Sequence, residues 1–142
     1  GTRAMGVLIF TTTWRGIPFF AVSFLAALQS IPHDYYEAAD VDGAGVIYQF
    51  LHITMPLIRN TVILTTMLRT IWTFNIVDII AGMTAGGPNN ATMTLPMYLM
   101  SKFNEGMDIG YSSCMAAVMA VILAIFAIGY SLVGGFGKEG DL

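Results

Sequence analysis

Three apolar stretches, 4–28, 57–81 and 111–133, alternate along the chain with two more polar ones, 32–56 and 82–110. At about 1.5 Å rise per residue, about 24 helical residues cover about 36 Å, enough to cross a hydrocarbon core of about 30 Å with some tilt. The pattern predicts a single all-α domain, a polytopic membrane protein with three transmembrane helices. Trp14, Arg15 and Gly16 interrupt the first stretch, and Pro18 removes a backbone donor there. It still reads as one kinked helix, because the apolar part after Arg15 is too short to cross alone. Arg15 then snorkels outward or faces a polar cavity.

The second stretch carries the most polar side chains. At about 100° per residue, Thr65, Thr66, Arg69, Trp72 and Thr73 share an arc of about 120°, while Ile63, Met67, Ile71 and Phe74 take the opposite face. Asn75 and Asp78 fall outside the arc. Such an arc serves either hydrogen bonding between helices or contact with a transported solute, so Thr65, Arg69, Trp72, Thr73, Asn75 and Asp78 are the candidate pathway residues. Arg69 is the costliest of them in a bilayer. Arg69 and Asp78 lie about 13 Å apart along a helix and cannot pair within it. In the third stretch Ser113, Ala117, Ala120, Ala124, Ala127 and Ser131 form a seam of small residues suited to close helix packing.

In the outer loop, 82–110, Gly86, Gly87 and Pro88 specify a turn, and Pro96 is expected to limit any helix. Asn90, Ala91 and Thr92 match a glycosylation acceptor, a weak signal. The loop 32–56 is more specific. Pro32 stops the first span, and Asp34 with Glu37 has the form of a capping box that starts a short helix over "DYYEAADV". Gly43 and Gly45 interrupt it, "VIYQFLHI" forms a second short helix, and Pro56 opens the next span. The expectation is a helix, a turn and a helix, with Pro32 and Pro56 as corners. Ala38, Ala39 and Gly43 leave a patch almost without side chains, flanked by Tyr35 and Tyr36, whose rings suit interface anchors. Either a partner's groove closes on this patch, or Glu37 merely caps, the alanines merely favour helix and the glycine merely ends it.

Composition agrees with a membrane protein: of 142 residues 56% are hydrophobic and 11% charged, with ten methionines and fifteen glycines, at a mean hydropathy of +0.70. A formal charge of -3 and no basic stripe exclude a nucleic-acid partner. Cys114 has no second cysteine, so no disulfide or thiolate metal site is available within the chain. The chain starts at Gly1 and reads as a fragment of a longer protein. His33 and His52 lack zinc-helix spacing, Ser112 and Ser113 lack a nucleophile elbow, and no catalytic constellation is found. The tail "GGFGKEG" has Glu139 after Lys138 where a phosphate loop needs serine or threonine. Lys138 leans toward a cytoplasmic C-terminus and first loop.

The spacing of Glu37, Ala38 and Ala39, then Gly43, then Ile53 and Pro56 resembles the EAA signature of permease subunits in binding-protein-dependent ABC importers, with Met55 where leucine is usual. "LQSIPHDYYEAADVDGAG", "TAGGPNNATMTL" and Tyr98, Phe103, Gly110 and Tyr111 are similar to the sugar-type branch, so the likeness covers nearly the whole chain. The resemblance implies the last three helices of a six-helix core in a bacterial or archaeal plasma (inner) membrane. It implies a cytoplasmic loop that docks as a coupling helix into a separate ATPase subunit through Glu37, Ala38, Ala39 and Gly43. ATP is then bound by that partner, and this chain needs no cofactor. A second permease subunit, an extracytoplasmic solute-binding protein and membrane lipid complete the partners. The implied solute is a carbohydrate, with glycerol phosphate derivatives as another option. Without the resemblance, the chain reads as part of a secondary transporter or channel, with Arg69 and Asp78 as coupling or selectivity residues.

Overall fold

The computed structural model describes residues 1–106 and 108–134. The tail with Lys138 and Glu139 lies outside them. Among the described residues the chain is wholly helical: α1 (Thr2–Gln29), α2 (Asp34–Val41), α3 (Val46–Gln49), a π turn (Phe50–Thr54), α4 (Met55–Phe74), α5 (Asp78–Met83), α6 (Leu95–Gly106) and α7 (Ile109–Gly134).

α1 runs through Pro18 as one helix of 28 residues. It stops at Ser30, whose hydroxyl donates to the Ala27 carbonyl at 2.7 Å, two residues before Pro32. Two helices, Thr2–Gln29 and Ile109–Leu132, are long and apolar enough to cross a membrane among the described residues. The stretch 57–81 is not a third such helix. α4 ends at Phe74, where the Asn75 side chain donates to the Ile71 carbonyl at 2.9 Å. A short amide side chain competes with the backbone for its own partners and so favours a helix end. After Ile76 and Val77 the separate helix α5 begins at Asp78. α4 itself, at 20 residues, is about 30 Å long, but Arg59, Asn60, Arg69 and its threonines lower its hydropathy.

Two proline expectations change. Pro96 does not limit a helix; it is the second residue of α6, where its missing N–H has no helical acceptor to lose. Pro56 is not a corner. The backbone keeps right-handed helical angles through Gln49, Phe50, Thr54 and Met55, so α3, the π turn and α4 form one continuous helical rod from Val46 to Phe74. The ring of Pro56 conflicts with the carbonyl four residues earlier, that of His52, and the wider π turn around His52 relieves the conflict.

α1 packs on α4 and α5, while α7 packs on α4 and α6. The buried centre joins Leu8 of α1, Ile80 of α5 and Met97 of α6, surrounded by Ile76, Val77, Ile79 and Met93. The loop between α5 and α6 is tied down by Thr92, fully buried, which donates to the Gly87 carbonyl and shares a bond with the Thr84 hydroxyl, both at 2.8 Å. Gly86 turns that loop at φ +87°, with the Met93 side chain where a Cβ would stand. Much apolar surface stays uncovered, including Phe10, Trp14, Ile125 and Leu132. Of the small-residue seam, Ser113, Ala117, Ala120 and Ala124 are exposed, and Ala127 and Ser131 are half-buried.

Candidate functional site

α2 occupies "DYYEAADV", the segment that the sequence marks, but no capping box starts it. His33 is the N-cap and makes no side-chain cap bond; instead the Glu37 carboxylate pairs with His33 Nδ1 at 3.3 Å. Asp34 and Glu37 both lie in the first turn, where negative charge opposes the positive end of the helix dipole. The other end closes as a Schellman turn: the Ala44 N–H donates to the Ala39 carbonyl at 2.9 Å and the Gly43 N–H to the Asp40 carbonyl at 3.0 Å. Gly43 stands at φ +75° with open space around it, so backbone conformation, not room, requires glycine there.

The six loop residues singled out by sequence do not share one surface. Tyr35, Glu37, Ala38 and Gly43 are exposed, and Ala39 is half-buried. Tyr36 turns inward, and its hydroxyl meets the Thr54 hydroxyl at 2.8 Å. Gln49 Nε2 donates to the Ala44 carbonyl at 3.0 Å and to Asp40 Oδ1 at 2.5 Å, holding α3 against the far end of α2. Beside it an open hollow of about 400 Å³ is lined by Ala39, Asp42, Gly43, Ala44, Gly45 and Tyr48. The Tyr48 ring stacks on His52, with centroids 4.0 Å apart.

The candidate pathway residues cluster only in part. Arg69 reaches from α4 to α1, donating from Nη2 to the Thr12 carbonyl at 2.7 Å. Gly16 makes the slot: a Cβ there would lie 2.8 Å from that same nitrogen. Arg69 and Thr73 line a hollow of about 270 Å³ with Thr12, Thr13, Gly16, Ile17 and Phe20. Trp72 packs its ring on Phe19 at 5.2 Å between centroids. Thr65 is buried and donates to the Thr61 carbonyl of its own helix at 2.6 Å. Asn75 lies apart, lining a different hollow with Val77, Pro96, Leu99, Met119 and Ala120.

Asp78 finds its cation outside its own segment. Arg15 Nη1 donates to Asp78 Oδ2 at 2.7 Å, joining the middle of α1 to the start of α5, with both side chains more than half exposed. Arg15 thus has a carboxylate partner, which the expectation of a snorkelling or cavity-facing arginine did not include. The sequence shows a lone cation and a lone anion in two apolar stretches, and that complementarity was the available signal for their pairing. Thr12 and Gly16, which receive Arg69, carry no such signal. Among the described residues no cluster of His, Cys, Asp or Glu is placed to hold a metal ion.

A family profile described as "Binding-protein-dependent transport system inner membrane component" matches residues 2–136. The chain is 40% identical over 126 residues to the sulfoquinovosyl glycerol transport system permease protein of Agrobacterium fabrum, covering 88% of this chain and 41% of that protein. It is 36% identical over 136 residues to the trehalose/maltose transport system permease protein of Thermococcus litoralis, covering 96% of this chain and 46% of that protein. Identity to the sn-glycerol-3-phosphate transport system permease protein of Salmonella choleraesuis is 32% over 127 residues, covering 89% and 43%. The chain thus spans less than half the length of these relatives.

Proposed function

The chain belongs to the inner membrane components of binding-protein-dependent transport systems, and from that premise we propose that it helps build the carbohydrate pathway of an ATP-driven importer. It acts beside a second permease subunit, receives solute from an extracytoplasmic binding protein and takes its driving force from a separate ATPase subunit that binds the ATP. α1, the rod from Val46 to Phe74 and α7 make three crossings of a bacterial or archaeal plasma membrane. α2 then lies on the cytoplasmic side, against the ATPase.

One observation carries this reading. α2 is closed at its C-terminal end by its own Schellman turn and tied to α3 and the π turn, yet it leaves Glu37 and Ala38 uncovered. A stiff helix with a nearly bare exposed strip is suited to insertion in a partner's cleft. Its displacement passes into the rod without a break at Pro56, and the rod carries Arg69 and Thr73 beside the hollow against α1. The hydroxyls of Thr12, Thr13 and Thr73 and the free donors of Arg69 suit a hydroxyl-rich solute. The names of two relatives, which speak of sulfoquinovosyl glycerol and of trehalose/maltose, support the carbohydrate class, and a third speaks of sn-glycerol-3-phosphate, which is hydroxyl-bearing as well.

The test is co-purification of the full-length permease with its neighbouring ATPase in detergent, for the native protein and for Ala38→Trp. Ala38 is the better probe than Gly43, whose replacement also strains the turn. Loss of the ATPase from Ala38→Trp alone is expected. Equal retention in both overturns the coupling role and favours a transporter that works without an ATPase.

A further inference from the structure

Threonine hydroxyls inside a helix commonly return to a carbonyl one turn back. Three threonines of α4 follow that habit: Thr65 donates to the Thr61 carbonyl at 2.6 Å, Thr66 to that of Val62 at 2.7 Å and Thr70 to that of Thr66 at 2.8 Å. Thr54 departs from it. Its hydroxyl leaves the rod and meets the Tyr36 hydroxyl of α2 at 2.8 Å, and the residue is only 6% exposed.

The position of this bond matters more than its strength. Thr54 is the last residue of the π turn, directly ahead of α4 and Pro56. A π turn is where a helix can bend or change register at low cost. Tyr36 precedes Glu37 on the helix whose outer strip is bare. The covalent route from α2 to α4 runs instead through Asp42 to Gly45, a turn with glycine at φ +75°, and then through α3. Of the two clamps at that end, Gln49 to Asp40 is solvent-exposed and weakened by competing water, and Gln49 to the Ala44 carbonyl holds the turn and not α2 itself.

We infer that the Tyr36–Thr54 pair is the internal linkage of the loop: two positioning residues that make α2 and the foot of α4 move as one body. The inference rests on the coupling role proposed above. Neither residue touches the ATPase or the solute in this role. With the bond, a push on α2 arrives at the π turn and tilts α4; without it, α2 pivots about the Gly43 turn and the push is lost.

The experiment uses the complete transporter, with full-length permease, second permease subunit, ATPase and binding protein, in detergent micelles. Cys114→Ser and removal of any other cysteine allow Leu57→Cys, on an exposed site near the foot of α4, to report through its rate of maleimide labelling with and without ATP and vanadate. Co-purified ATPase is measured on the same samples. In the parent, nucleotide is expected to change the labelling rate. Tyr36→Phe and Thr54→Val are each expected to keep the ATPase bound and to reduce that change at least fivefold. The double variant should be no worse than either single one, as for two ends of one interaction. Thr54→Ser, which keeps the hydroxyl, should behave as the parent.

A full nucleotide response in Tyr36→Phe and Thr54→Val overturns the linkage, as does a double variant with multiplied losses. So does a parent with no response. Loss of the ATPase from Tyr36→Phe also overturns it, by making Tyr36 a docking contact. Failure of the underlying coupling role reads out separately, as retention of the ATPase by Ala38→Trp.

Discussion

Between His33 and Thr54 the chain closes on itself: His33 with Glu37, Ala44 and Gly43 with the end of α2, Gln49 with Ala44, Tyr36 with Thr54. All these bonds join residues at most eighteen positions apart. The long helices are held differently. α1 and α7 expose Phe10 at 68% and Leu132 at 77%, and their polar ties to α4 include Arg69 to the Thr12 carbonyl and Arg59 to the Gly134 carbonyl at 3.3 Å. The contrast teaches where shape comes from. A segment closed by local bonds sets its own form, whereas helices with bare apolar faces take their placement from lipid and from other protein segments.

Substitutions of graded size separate the two regimes. The largest effect is expected from Gly16→Leu, which drives the Arg69 guanidinium from its slot and costs about 3 kcal/mol by overpacking. It should lower the global thermal midpoint of the full-length permease in detergent, and Arg69→Ala should recover part of the loss. Thr92→Val comes next at about 2 kcal/mol, because the half-buried Thr84 hydroxyl and Gly87 carbonyl lose their bonds to the fully buried Thr92. The same midpoint measures it. Gly43→Ala is expected to cost about 1 kcal/mol at its positive φ, with Gly43→Asn milder. Here hydrogen exchange at the amides of Gly43 and Ala44 should quicken while the global midpoint holds. Gln49→Ala, at about 0.5 kcal/mol, should produce a smaller change in exchange confined to the same turn. A global midpoint lowered as far by Gly43→Ala as by Gly16→Leu would break the comparison, since the loop would then be a pillar of the whole fold.

The same contrast decides what was legible in the sequence. α2 was readable to the residue, because Pro32, the acidic first turn and Gly43 are local signals acting over one turn of helix. Its cap was misread: the Asp34 and Glu37 pattern fits a capping box, but the Glu37 carboxylate has the His33 ring one turn away as a closer partner. The end of α4 was missed because Asn75 stops the helix with a single side-chain bond and neither glycine nor proline announces it. α6 was missed because a proline one residue into a helix and a proline that breaks one look alike without the register. Of the candidate pathway, the charges at Arg69 and Asp78 were visible; charge complementarity pointed from Asp78 to Arg15, 63 positions away, but nothing pointed from Arg69 to the Thr12 carbonyl, 57 positions away.

The slot at Gly16 carries a consequence for how such proteins diverge. A glycine on one helix and an arginine on another that fills its missing side chain are expected to vary together, although 53 positions separate them. Where the arginine is lost, position 16 is expected to accept a larger residue freely; where it is kept, a larger residue must push the flexible end of the arginine aside. A chimera that joins α1 of one permease to α4 of another should therefore be less stable when its parents disagree at this pair.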